Sequence, residues 1–235
     1  KLEFKEHIAF LTSNNAMKAN ALNEVMWKEI KEAMDIIDKN DDIHVCILNA
    51  AGKRFTSGID INYLDSTMEE TKKAENREDF LYKRIKEMQS SFNAIENSRV
   101  PVISSIHGFC IGGGVDLIAV CDLRFSTINC FFSIMETKLS IVADMGTLQR
   151  LTRIVPTGIL KELTYTSRIF SGYKARKYGL VNKSFFFKKN MDKYVLKLAR
   201  EIASLPSNAV QGSKASINYS NDHSVDEGLD HIARM

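Results

Sequence analysis

Between Pro101 and Val120 the chain runs Val102-Ile-Ser-Ser-Ile106, then His107-Gly-Phe-Cys-Ile-Gly-Gly-Gly-Val-Asp116, then Leu117-Ile-Ala-Val120. A short strand over 102–106 passes through a glycine-rich loop over 108–114 into a short helix over 115–120. A strand that turns directly into a helix belongs to an alternating α/β architecture, and the rest of the chain repeats that alternation. Residues 7–11 read as a strand and the polar residues 12–20 as a loop. Over 22–39, Leu22, Met26, Ile30, Met34 and Ile37 recur at helical spacing. Residues 45–48 read as a buried strand and 49–57 as a loop. The longest helical stretch is predicted over 69–97, with Leu81, Ile85, Met88, Phe92 and Ile95 on one face and Pro101 closing it. Short strands are predicted over 123–126 and 131–134. The pattern turns helical after Asp144, through Leu151, residues 160–166 and 175–178, and a last amphipathic helix over 190–205. No repeat or linker divides the 235 residues.

Composition excludes several functions. Lys and Arg number 32 against 29 Asp and Glu, a net charge of +3. No block of like charges stands out, so neither nucleic acid nor disorder is indicated. No apolar run approaches the roughly 20 residues of a membrane span. Cys46, Cys110, Cys121 and Cys130 form no CxxC pair and read as buried, reduced thiols of an intracellular protein. His7, His44, His107, His223 and His231 lack metal-ligand spacing, so no metal site is expected. Thr56-Ser57-Gly58 lacks the glycine that a nucleophilic serine elbow places two residues before its serine.

Three elements could carry chemistry. Gly112, Gly113 and Gly114 expose backbone N–H groups at a helix start, which suits an anion or an oxygen that becomes anionic in a transition state. The run is neither a dinucleotide fingerprint nor a P-loop. Read locally, it would equally serve a tightly packed turn. Arg54-Phe-Thr-Ser-Gly-Ile-Asp60 follows the strand at 45–48; Gly58 lets the chain turn and aim the Ile59 N–H into a cleft, or the segment is a plain loop with an Asx-type turn at Asp60. Asp116, Glu136 and Asp144 sit among apolar neighbours. Burial there would raise carboxyl groups toward the range useful for acid–base work, unless each is a capping or ion-paired acid.

In this order and spacing the elements resemble the crotonase superfamily, the enoyl-CoA hydratase/isomerase proteins. The resemblance runs from about His7 to the chain end. It is carried by Asn20-Ala-Leu22, Phe55-Thr-Ser-Gly-Ile-Asp60, the glycine run with Asp116, Cys121-Asp122, Gly146-Thr-Leu-Gln-Arg-Leu151 and Ala175-Arg-Lys-Tyr-Gly-Leu-Val181. Within the superfamily the chain is most similar to the dienoyl-CoA isomerase branch. Asp116 stands where hydratases carry glutamate, and Asp144 where they carry glycine.

The resemblance implies an α/β fold built as a spiral of β-β-α units. Residues 1–189 would form the spiral core, and 190–235 the start of a C-terminal helical region that continues further in the family and packs as trimers or dimers of trimers. It implies isomerisation of a 3,5-dienoyl-CoA to a 2,4-dienoyl-CoA in fatty-acid β-oxidation. Ile59 and Gly113 would form the oxyanion hole. Glu136 would take the C2 proton, Asp144 would deliver a proton at C6, and Asp116 would have an electrostatic or orienting role. Lys18, Ala19, Ala21, Leu22, Ser57, Gly58 and Asp60 would hold the CoA end; Lys18 also reads as an ordinary exposed loop lysine. No cofactor beyond the substrate's CoA is implied, and the compartment would be mitochondrial or peroxisomal, with the cytoplasm still open. Hydration of a 2-enoyl-CoA, Δ3-Δ2 isomerisation, and a non-catalytic RNA-binding or scaffold role are the competing expectations.

Overall fold

Two strands, β3 (Val45–Ala50) and β4 (Val102–Ile106), whose only polar side chains are Asn49, Ser104 and Ser105, are buried on both faces. That pattern belongs to a parallel sheet covered on either side. The computed structural model describes residues 1–235, and β3 and β4 lie at the centre of its six-stranded sheet. The remaining strands of that sheet are β1 (Leu2–Lys5), β2 (Ile8–Ser13), β6 (Leu123–Thr127) and β9 (Lys183–Phe185), in the order β1-β2-β3-β4-β6-β9. Only β1 runs antiparallel. A second sheet holds β5 (Phe109–Ile111), β7 (Phe131–Ser133) and β8 (Phe170–Ser171).

The chain visits the sheets in turns. β4 is followed by β5 and then α4 (Gly113–Ala119); β6 is followed by β7 and a 3-10 turn at Glu136–Leu139 that leads to α5 (Thr147–Leu151). Earlier turns are marked by single bridges: Leu22 precedes α1 (Glu24–Asp38), and Thr56 and Ile59 precede α2 (Ile61–Lys73). Leu22 bridges Ile59, Thr56 bridges Cys110 and β5 pairs β7, all in parallel, so each turn is bonded to the next.

The main core gathers one face of the large sheet with α1, α3 (Arg77–Glu96) and α4. The opposite face is closed by α8 (Lys188–Ala203), whose Met191, Val195, Ala199 and Ala203 pack on Ile8, Val45, Ile47, Ile103 and Phe125. In the chain α6 (Thr157–Thr166) and α7 (Gly172–Lys177) come before α8, and α9 (Ser207–Tyr219) and α10 (Val225–Arg234) follow it. Lys214 of α9 is buried, and its Nζ donates to Val100 O at 3.0 Å and Asp122 Oδ2 at 2.9 Å. Asp122 Oδ2 also accepts the Val102 N–H at 2.7 Å, so the Cys121-Asp122 pair ties the C-terminal helices to the central strand. All four cysteines are free and buried. No helix is long and apolar enough to cross a membrane.

The structure corrects several expected elements. The helix predicted over 69–97 is two helices, α2 and α3. Asp60 caps the first by accepting the Asn62 N–H at 2.9 Å, and Asn76 caps the second by accepting the Asp79 N–H at 3.0 Å. α2 buries only Thr67 and Thr71, so it has no apolar stripe for periodicity to reveal. The glycine-rich loop contains the strand β5, and α4 begins at Gly113 rather than Val115. The short strands β1, β8 and β9 were not expected, and α9 and α10 extend the helical run beyond 205.

Candidate active site

Two of the three consecutive glycines, Gly112 and Gly114, have separate steric reasons to be glycine. Gly112 has φ +53° and ψ −123°, a conformation a side chain strains to adopt, and its N–H donates to Ser133 O at 2.9 Å. Gly113 opens α4, so its N–H has no acceptor within the helix. A Cβ on Gly114 would overlap the Thr56 methyl. The glycines therefore bring α4 hard against the loop over 54–60.

That loop is held from the other side. Asn20 is fully buried; its Nδ2 donates to Ala51 O and Arg54 O, at 2.9 and 2.8 Å, and its O accepts Thr56 Oγ1 at 2.7 Å. Thr56 Oγ1 in turn accepts the Gly58 N–H at 3.1 Å. Leu22 N–H donates to Gly58 O at 2.8 Å, and Asp60 N–H to Leu22 O at 2.9 Å. In such a parallel bridge the peptide N–H of the bridged residue, Ile59, points away from Leu22. It lies toward Gly113: a Cβ built on Gly113 would be 3.7 Å from Ile59 N and 3.4 Å from Leu22 Cδ1. Gly58 has φ +88°, and a Cβ there would come within 2.6 Å of Ile111 O. The backbone N–H groups of Ile59 and Gly113 thus lie side by side, and neither is used by the bridge or the helix.

Beside them lies a cavity of about 290 Å³. Ser57, Gly58, Ile59 and Gly113 line it, and so do all three acids, Asp116, Glu136 and Asp144. Its far wall is apolar, with Trp27 of α1, Leu64 and Met68 of α2, and Leu81, Ile85 and Met88 of α3. Asp116 is buried, its Oδ1 accepts the Thr147 N–H at 2.6 Å, and loss of solvation pushes its pKa up to about 6. Glu136, on the 3-10 turn beside Gly112, is 8% exposed and its Oε2 has no hydrogen-bond partner. Desolvation first, then the charges of Asp116 and Asp144, raise its pKa to about 7. Asp144 stands at the rim, exposed on its outer side, and desolvation on its inner side raises its carboxyl as well.

An apolar slot with two N–H donors and three carboxyl groups of raised pKa can bind an acyl chain, stabilise an oxyanion and move protons beside it. Residues 3–235 match the enoyl-CoA hydratase/isomerase family. The chain belongs to that family. Among similar proteins of this enoyl-CoA hydratase/isomerase group is the peroxisomal Δ3,5-Δ2,4-dienoyl-CoA isomerase of Arabidopsis thaliana, 44% identical over 226 residues, covering 95% of this chain and 81% of that protein. The mitochondrial Δ3,5-Δ2,4-dienoyl-CoA isomerase of Mus musculus is 39% identical, covering 97% of this chain and 71% of that protein. The crystal structure of enoyl-CoA hydratase from Bacillus anthracis superposes with a TM-score of 0.89 at 26% identity, covering all of this chain and 87% of that one. The spiral of β-β-α turns is the crotonase fold of these enzymes.

The residues expected at the CoA end are less tightly gathered than the acids. Ser57 and Gly58 line the cavity. Lys18 and Asp60 line a separate shallow groove of about 270 Å³ that shares Tyr63 with the cavity, and Lys18 Nζ lies 3.8 Å from Asp60 Oδ2. Ala19, Ala21 and Leu22 line neither; Ala19 O accepts the Ser57 N–H at 3.1 Å and Leu22 packs beneath Gly113. Sequence reasoning missed the support of the Asp144 loop. Gln89 Nε2 donates to Asp144 O at 2.7 Å. Arg150 Nη2 reaches Glu96 Oε2 at 2.6 Å and Asn93 Oδ1 at 2.8 Å, and its Nη1 donates to Met145 O at 3.2 Å. The guanidinium passes over Gly146, where a Cβ would overlap it. The recurring Gly146-Thr-Leu-Gln-Arg-Leu151 segment was the available signal, but these partners lie 54 and 57 residues away in the chain.

Proposed function

We propose that this protein isomerises 3,5-dienoyl-CoA thioesters to the 2,4-dienoyl isomers, with the thioester oxygen between the Ile59 and Gly113 N–H groups. The supporting observation is Asp144, an acid that joins Asp116 and Glu136 around the cavity whose wall also holds both donors. Donors aimed at an oxygen that gains charge contribute most when fixed in advance, and here backbone bonds on both sides fix them. Glu136, with a pKa of about 7 and one unpartnered oxygen, suits removal of the C2 proton. The dienolate carries negative charge to C6, where Asp144 supplies a proton. Asp116 acts through structure: its bond to Thr147 N–H holds the start of α5 and hence the loop bearing Asp144.

The acyl chain would lie along Trp27, Ile85 and Met88, and Lys18 would attract the CoA phosphates at the neighbouring groove. The reaction as written consumes no cofactor. Val225, Leu229 and Ile232 of α10 are exposed and apolar, which supports packing into a trimer. The relatives described as peroxisomal and mitochondrial support a place in one of those compartments. The test is an ultraviolet scan with a 3,5-dienoyl-CoA beside a 2-enoyl-CoA. Growth of the longer-wavelength band of a conjugated 2,4-diene is the expected result. Loss of the enoyl absorbance with no diene formed would instead indicate a hydratase.

A further inference from the structure

Asp144 borders two spaces of opposite character. On its inner side is the apolar cavity with Glu136. On its outer side is a polar depression of about 390 Å³, lined by Gln89, Asn93, Glu96, Gln149, Arg150 and Arg153. Asp144 and Met145 line both, so this loop is the partition between them. Glu136 has no such outlet: it does not line the polar depression, it is 8% exposed before any ligand enters, and its Oε2 is sealed from solvent. An acyl chain in the cavity would cover what remains.

We infer that the two acids trade protons differently: Asp144 is reloaded from water through the polar depression, while Glu136 holds the proton it takes until the ligand leaves. The inference rests on the isomerase reading above. In each turnover Glu136 gains the C2 proton and Asp144 loses a proton to C6, so one proton leaves the substrate and another enters it. Asp144, left as carboxylate, takes its next proton from water on its outer face. Glu136 releases its proton to solvent once the product has gone. The hydrogen gained at C6 is therefore solvent-derived, although the reaction is formally a shift of hydrogen from C2 to C6. Exchange between an open carboxyl and water is far faster than a typical enzyme turnover of about 10 per second, so reloading would not limit the rate.

The experiment uses the wild-type chain in heavy water with a 3,5-dienoyl-CoA, stopped at partial conversion, with deuterium located in product and residual substrate by NMR and mass spectrometry. The expected product carries deuterium at C6 in the great majority of molecules. Residual substrate gains deuterium at C2 at less than about a tenth of the isomerisation rate, the factor that corresponds to about 1.4 kcal/mol. Protium at C6 would show one group carrying the same hydrogen from C2, and would overturn the inference. Rapid deuterium entry at C2 would overturn it too, because Glu136 would then be open to water. A missing diene band takes down the isomerase reading and this inference with it, whereas a normal diene band with protium at C6 takes down the inference alone.

Discussion

Replacing Glu136 by glutamine removes a charge that the fold holds at a cost. In an unfolded chain this carboxyl has its ordinary pKa of 4.5; in the cavity burial and two neighbouring acids carry it to about 7. The raised value means that the folded state resists ionisation. Below pH 4.5 the group is neutral in both states and costs nothing. Between 4.5 and 7 the unfolded chain ionises first and stability falls with rising pH, and above 7 the full penalty is present. At about 1.4 kcal/mol per pH unit the penalty is about 3 kcal/mol at pH 8 and about 1 kcal/mol at pH 5. Glutamine keeps the shape and never ionises, so Glu136→Gln is expected to be more stable than the parent by about those amounts. With a urea slope of about 3 kcal/mol per molar, the midpoint at pH 8 rises by about 1 M. Trp27, the single tryptophan, is buried, packs at a tilt against Phe92 with ring centroids 4.8 Å apart and lines the same cavity, so its fluorescence reports the transition. The variant should also lose about 10²- to 10⁴-fold in diene isomerisation, the usual weight of a general base. Equal midpoints at both pH values, or a less stable variant at pH 8, would refute the assignment of a desolvated catalytic carboxyl.

Other substitutions separate the parts of the site. Asp144→Asn should abolish the diene reaction by about 10²-fold or more while sparing conversion of a 3-enoyl-CoA to its 2-enoyl isomer, which needs mainly Glu136; parallel assays on the two substrates check the split. Gly58→Ala forces a side chain into a positive φ and against Ile111 O, so it should shift the Ile59 N–H and cost about 10²-fold in kcat, with about 1–3 kcal/mol of stability seen in urea. Gln89→Leu removes the donor to Asp144 O. It should slow the diene reaction about tenfold at unchanged KM and leave the 3-enoyl reaction alone; equal losses on both substrates would mean Gln89 supports the fold in general.

The parts of the site that repeat a local rule were legible in the sequence. The glycine run announced a strand turning into a helix, and Gly58 announced a turn, because both depend on backbone sterics that neighbouring residues reveal. The acids were visible as charges set among apolar residues. What the sequence hid was spatial: Gln89 reads as an ordinary polar position beside the apolar stripe of α3, yet it reaches a carbonyl 55 residues away. The break between α2 and α3 was obscured because Thr67 and Thr71 are buried where a stripe of leucines would have marked the helix. β8 and β9, of two and three residues, are too short to alternate visibly, and only their partners β7 and β6 make them strands. Lys18 and Asp60 were expected at the CoA end from their place in a motif, but the 3.8 Å approach of Lys18 Nζ to Asp60 Oδ2 joins residues 42 apart in the chain.

The order of strands in the large sheet has a consequence for how the molecule comes into being. Each strand that joins it pairs with the one that joined before, from β1 through β2, β3, β4 and β6 to β9, and none is inserted between two others. As the chain emerges from the ribosome, every new strand meets an edge already finished, so the sheet lengthens in one direction at the pace of synthesis. The last strand, β9, then brings α8 across the sheet's uncovered face. The cavity walls are complete once α5 has been added, and α8 closes the sheet that supports them.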